Sequence, residues 1–149
     1  MGLTLKQENV EAFRQRFEEV VAHRITLKQK HPVIEIDALL CGEELSPSFF
    51  KKMMTFEPFG PLNPAPVFAL KGVLPDATAK LFGRGNEHLK FTVSVGGDCP
   101  SFMALAYQQA KHLKLVQGER FAIVFTVENN HYFSPPVIQF NVKDIVQEA

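Results

Sequence analysis

The chain has 149 residues, 46% of them hydrophobic and 21% charged, the make-up of a globular protein with an ordinary core. Sixteen basic and sixteen acidic residues cancel to a formal net charge of zero. That excludes a binder driven by gross charge but leaves room for a local basic face. Fourteen phenylalanines against two tyrosines and no tryptophan indicate core packing. Cys41 and Cys99 are too few for a disulfide framework and lack zinc-site spacing, so both are read as buried free thiols. No basic-then-apolar leader opens the chain and no run is as long as a membrane span, so no membrane is expected and cytoplasm is the default.

In chain order, Thr4 with Gln7 three residues on has the capping-box pattern. Val10, Phe13, Phe17, Val20 and Val21, with Ile25 at the end, recur at helical spacing. An amphipathic helix of about five turns is predicted, stopped by His31-Pro32. Its apolar stripe would favour self-association if left uncovered. "VIEIDALL" predicts a strand with Ile34, Ile36 and Ala38 on one face and Glu35 and Asp37 on the other. "LSPSFFKKMMTF" predicts a short helix with Ser46 as N-cap and Pro47 at its first position. "FEPFGPLNPAPVF" holds four prolines, which neither a helix nor a central strand accommodates. Its phenylalanines favour burial, so a stiff, packed connector is expected.

Beyond it, "PVFALKGVL", "AKLFG", "HLKFTVSVG", "SFMALAY", "ERFAIVFTVEN" and "PVIQFNVKDI" read as short strands, with "QQAKHLKLVQG" a helix or turn between two of them. Five or six strands in so short a span fit a small closed barrel. The predicted class is α+β: a helical segment over residues 1–55, a proline-rich connector over 56–68 and a barrel over 67–149.

No nucleophile motif, phosphate-binding loop or metal motif is present. Glu35 and Asp37 share a face as a metal-holding pair would, but a solvated strand face is the simpler reading. "GRGN", Gly83 to Asn86, has the composition of a phosphate nest and equally of a hairpin turn. Lys80, Arg84, His88 and Lys90 flank it, and Lys111, His112 and Lys114 form a second basic cluster. Small barrels bind single strands in grooves combining such cations with stacking rings. Phe82 lies within the first cluster, and Tyr107, Tyr132 and Phe133 are further candidates.

Pro58, Phe59, Gly60, Pro61, Asn63, Pro64, Pro66, Val67 and Phe68 resemble a run found just before the C-terminal oligonucleotide-binding (OB) barrel of the RecJ family, single-strand-specific DNA exonucleases acting 5′ to 3′. Leu62 replaces a glycine of that run, which raises the question of a positive φ there. "HLKF", "ALAY", "IQFNVKDI" and the opening "GLTL" are similar to other family segments, so the resemblance spans nearly the whole chain.

The resemblance implies an OB-fold barrel with a preceding linker that ends the previous domain. It implies Mn2+ or Mg2+ held by an N-terminal domain with an Asp-His-His motif that this chain does not contain. The chain is therefore expected to be the C-terminal portion of a larger nuclease, inactive alone, without a cofactor of its own. Single-stranded DNA is the expected partner, in DNA repair and recombination. Lys80, Arg84, His88 and Lys90, then Lys111 and Lys114, would contact phosphates, and Phe82 or Tyr107 would stack a base. Pro58, Phe59, Gly60, Asn63, Pro64, Pro66 and Phe68 would hold the connector's shape. The rival is a scaffolding barrel that docks on the parent's catalytic domains or a single-strand-binding protein without touching DNA, which the zero net charge favours.

Overall fold

The computed structural model describes residues 2–26, 29 and 33–148. They divide into two compact units, Met1–Ile34 and Glu35–Ala149. In the first, a 3-10 turn at Gln7–Asn9 leads into α1, Val10–Arg24. Thr4 is not the cap. Lys6 and Asn9 stand at the two N-cap positions, and neither makes a side-chain cap bond. The helix is correspondingly shorter than expected, 15 residues. The expected stop at His31-Pro32 lies outside the described residues. Val10, Phe13 and Phe17 are exposed along one face, with the Phe13 and Phe17 rings stacked at 5.7 Å.

The second unit runs β1 (Ala38–Leu40), a 3-10 turn (Gly42–Glu44), α2 (Pro47–Met54), β2 (Phe68–Val73), β3 (Lys80–Phe82), β4 (His88–Val93) and β5 (Phe102–Ala106). A 3-10 turn at Ala110–His112, α3 (Leu113–Gly118), β6 (Phe121–Asn130) and β7 (Val137–Gln147) complete it. The seven strands form one sheet in the order β1-β2-β6-β7-β5-β4-β3. β5 and β7 are parallel, whereas β2–β6, β6–β7, β4–β5 and β3–β4 are antiparallel. This is an OB-fold barrel in which β2 and β3 are two pieces of one interrupted first strand, β2 on β6 and β3 on β4. The expected five or six strands become seven through that interruption and through β1, which adds to β2 in parallel.

The strand expected over "VIEIDALL" is realised only at Ala38–Leu40, and Val33, Ile34 and Ile36 are exposed. The β1 ladder has Ala38 opposite Phe68. Extending it backwards would need amide donors from Pro66 and Pro64, which have none. Asp37 terminates it instead: its N–H donates to Val67 O and its Oδ2 accepts from Val67 N, each at 2.8 Å. The cysteines are free but not buried. Cys41, just past β1, is exposed, and its thiol donates to Glu44 Oε2 at 3.2 Å, a bond that raises its pKa.

α2 begins as its sequence requires, with Ser46 Oγ accepting from Phe49 N at 3.2 Å and Pro47 at the first turn. It delivers Phe50 and Met53 into the barrel core. There Phe50, Phe102, Phe140, Phe125 and Phe68 form a continuous run of ring contacts, the tightest being Phe125–Phe140 at 4.2 Å. At α3, Val116 is fully buried.

Residues 56–67 thus run from α2 to β2 inside the second unit. Gly60 and Asn63 exchange backbone bonds of 2.8 and 3.0 Å, and Asn63 Nδ2 donates to Phe56 O and Pro58 O at 2.8 and 3.0 Å. Phe59 packs on the core and Phe68 is buried in it, but Phe56 is exposed, against the expectation of burial. Leu62 is fully exposed and is not among the residues with positive φ, so the leucine is unstrained.

The gap between β2 and β3 is bridged by Leu74 N donating to Ser94 O at 2.7 Å and by the Asp76 carboxylate. Asp76 Oδ1 accepts from Thr78 N and Oγ1 at 2.8 and 2.6 Å, Oδ2 accepts from Thr92 N at 2.7 Å, and the Asp76 N–H donates to Val116 O at 2.8 Å. Burial pushes its pKa up, but the Thr78 and Thr92 bonds outweigh this and leave it below the ordinary aspartate value. A depressed folded pKa contributes stability that is present above the unfolded value, about 3.9, and is lost as pH falls through the lower folded value. Urea unfolding should therefore show Asp76→Asn destabilised by about 1–3 kcal/mol at neutral pH, with the gap to the parent closing in acid. In the same assay Phe140→Ala should cost about 3–5 kcal/mol, whereas Leu62→Gly should change stability by less than about 1 kcal/mol.

Candidate nucleic-acid interface

Residues directly opposed in antiparallel strands share a face, so the ladders lay out the barrel surface in rows. Lys80 pairs with Lys90, which pairs with Leu105, which pairs with Asn141. Phe82 pairs with His88, one step from the Leu89–Ala106 pair, and Tyr107 follows Ala106. Leu89, Phe91, Ala104 and Ala106 alternate with these residues and point into the core. Lys80, Phe82, His88, Lys90 and Tyr107 are thereby brought onto one outer face of β3, β4 and β5.

The three rings form a mutual edge-to-face cluster: Phe82–His88 at 5.1 Å, His88–Tyr107 at 5.1 Å and Phe82–Tyr107 at 6.0 Å. Phe82 and His88 are half-buried, and Tyr107 is 49% exposed. The cluster's geometry is held by His88. The Gln108 amide donates to its Nδ1 at 3.1 Å, so the ring proton sits on Nε2, which lies 3.5 Å from Glu87 Oε1.

The β3–β4 connection is a hairpin turn, with Asn86 N donating to Gly83 O at 3.3 Å and positive φ at Gly83 and Asn86. It is not an open phosphate nest, because the chain's own carboxylate fills it. Glu87 Oε2 accepts from Gly85 N at 2.8 Å, and a Cβ on Gly83 would come within 2.9 Å of that oxygen. The Glu87 pKa is lowered, first by its own backbone amide; burial opposes this, and the Gly85 amide and His88 add smaller lowering effects. Arg84 projects from this turn and is exposed.

Lys111 and Lys114 are elsewhere, on the Ala110–His112 turn and on α3. That turn is tied to the hairpin by Ala110 N donating to Glu87 O at 3.3 Å, but neither lysine belongs to the strand rows. Burial and the neighbouring Lys111 lower the His112 pKa, against a small opposing pull from Asp144. No ion pair within 4 Å engages Lys80, Arg84, Lys90, Lys111 or Lys114 among the described residues.

Tyr132 and Phe133 sit on the β6–β7 loop with their rings 5.7 Å apart, and Tyr132 is 92% exposed. β7 runs parallel to β5 with Gln139 beside Met103, so this loop stands at the opposite end of the strands from Tyr107. Met103 and Asn141 share the face too, and the register places Lys143, after Val142, alongside Tyr107. Sequence reasoning missed these three, because Met103 reaches the basic rows through the β4–β5 pairing and Asn141 and Lys143 only through the β5–β7 pairing.

The barrel topology and its basic, ring-bearing face define an OB module. Residues 36–144 match the family model of the RecJ OB domain. Over 147 residues the chain is 31% identical to the single-stranded-DNA-specific exonuclease RecJ of Bacillus subtilis, covering 96% of this chain and 18% of that protein. Crystal structures of RecJ from Thermus thermophilus, one with Mn2+ and one with Mg2+, superpose with TM-scores of 0.63 and 0.60 at 23% and 22% identity. They are matched over 99% and 98% of this chain and 20% and 21% of theirs. This chain belongs to the RecJ OB domain family and spans about a fifth of the length of these relatives. Among its described residues no three His, Cys, Asp or Glu side chains come together as a metal site, so they do not fit the ions of the Thermus structures.

Proposed function

We propose that this chain is the accessory single-stranded-DNA-binding module of a RecJ-like 5′–3′ exonuclease, positioning the strand for catalytic domains outside it. The observation that carries this reading is the β3–β5 face, where two lysines without ion pairs lie beside a cluster of three rings. Phosphates would meet Lys80, Lys90 and Arg84, with Lys111 and Lys114 extending the basic surface, and a base would stack on Tyr107. Stacking contributes about 1–3 kcal/mol per base. The Bacillus relative is a single-stranded-DNA-specific exonuclease by name, which supports DNA as the ligand, and the Thermus structures carry Mn2+ or Mg2+, which supports those ions for catalytic domains outside this chain. A role in DNA repair and recombination in the cytoplasm accords with it.

The zero net charge favours a second reading, in which the barrel docks on the parent's other domains or on a single-strand-binding protein. Anisotropy titrations of labelled single-stranded and duplex DNA at two salt concentrations separate the two. DNA binding predicts a preference for single strands that weakens with salt. Replacing Lys80, Arg84 and Lys90 by Gln together should flatten the log–log salt slope by about 2, at roughly 0.7 per lost phosphate contact. Tyr107→Ala should lower affinity by about 1–3 kcal/mol without changing that slope. If the folded protein binds no single strand at low salt, the docking reading replaces this one.

A further inference from the structure

Lys80 and Lys90 are directly opposed across the β3–β4 ladder, which puts their Cβ atoms about 5 Å apart on one face. Like charges in that relation repel each other and destabilise the sheet. A cross-strand carboxylate would relieve the repulsion, yet no ion pair engages either lysine among the described residues. Both line a surface hollow of about 230 Å³ with Thr78, Thr92, Met103 and Asp76. Asp76 stays ionised but offsets only one of the two charges, and its oxygens are turned to Thr78 and Thr92 rather than paired with either lysine. The one backbone nest nearby is closed to anions by Glu87. The hollow therefore keeps a net positive charge, two lysines against one carboxylate.

We propose that this hollow is a discrete phosphodiester subsite of the single-strand-binding face, with Tyr107 as the platform for the adjoining base. The inference rests on the DNA-binding reading and gives it a register. From Lys90 to His88, as from Lys80 to Phe82, is two residues, about 6.8 Å along the strand. A nucleotide whose phosphate lies between the two ammonium groups can turn its base towards the ring cluster. Tyr107 is the most exposed of the three rings, since Phe82 and His88 are half-buried against it and each other. The site therefore seats one base. The bound phosphate also supplies the negative charge that the ladder lacks, so ligand binding relieves a repulsion built into the free fold.

The test follows backbone amide NMR spectra of the full chain during titration with inorganic phosphate against chloride at matched ionic strength, in parallel with melting curves. Phosphate should shift the amides of Lys80, Lys90 and Thr92, and a short single-stranded oligothymidine should displace it. Lys80→Gln and Lys90→Gln should each weaken phosphate binding at least tenfold, while Lys80→Arg retains it. Because phosphate stabilises folded proteins in general, the repulsion is read without it: the exposed Lys80→Gln should raise the phosphate-free Tm by about 2 °C. Shifts scattered over the surface, an undiminished response in Lys80→Gln, or a fall in its phosphate-free Tm overturns the subsite. If Lys80→Gln binds single strands as tightly as the parent, the subsite is wrong and the DNA-binding reading stands. If the parent binds no single strand at all, both fail.

Discussion

Closing this sheet into a barrel requires its first strand to leave β6 and join β4, and the six residues between β2 and β3 belong to neither ladder. Asp76 resolves that constraint. Its carboxylate gathers Thr78 at the start of the approach to β3 and Thr92 near the end of β4, while its own amide reaches Val116 of α3. One side chain thus ties the interrupted strand, the neighbouring strand and the barrel helix together. Its charge-assisted bonds to amides are of the stronger kind. The position of β3, and with it the position of Lys80 and Phe82, depends on this joint.

The opposite requirement, filling the barrel, is met by aromatic volume. Phe102, Phe125 and Phe140 from three strands stack in the interior, and α2 adds Phe50 from outside the barrel sequence. This makes α2 part of the barrel's core rather than part of a linker. It also explains the proline-rich stretch mechanically. Residues 56–67 must return the chain from the end of α2 to the start of β2, and the Asn63 bonds to Phe56 and Pro58 hold that return in one shape without ladder partners.

On the outer face, the proposed function and stability pull in different directions. The rows that carry Lys80 and Lys90 would be more stable with an acid at one position, and the ring cluster leaves Tyr107 half in water. Such local departures from what a sheet prefers are expected where a surface is shaped for a ligand. The remaining strongly polar groups nearby, Asp76, Glu87 and Glu128, are each held by hydrogen bonds, to Thr78 and Thr92, to Gly85 and to Asn141. Those bonds turn the acids to neutral donors rather than to Lys80 or Lys90, on a protein whose charges balance overall.

Elements with local signals were legible in the chain before it was folded. Alternation marked β2 to β7 because each strand buries alternate residues, Ser46-Pro47 marked α2 because capping involves neighbours in the chain, and the long proline motif carried the family. The same kind of signal singled out Lys80, Phe82, Arg84, His88 and Lys90, because a hairpin brings residues close in sequence together in space. Features that depend on distant partners emerged only in the folded barrel. "VIEIDALL" became three residues of strand because its partner opens with prolines. The Gly-rich turn lost its anion capacity to Glu87, the thiols stayed near the surface, and Tyr107 acquired Lys143 and Asn141 as neighbours through a parallel pairing that no periodicity encodes. Local pattern specifies which face of an element is buried, and only the closed barrel's register specifies which exposed side chains stand next to one another.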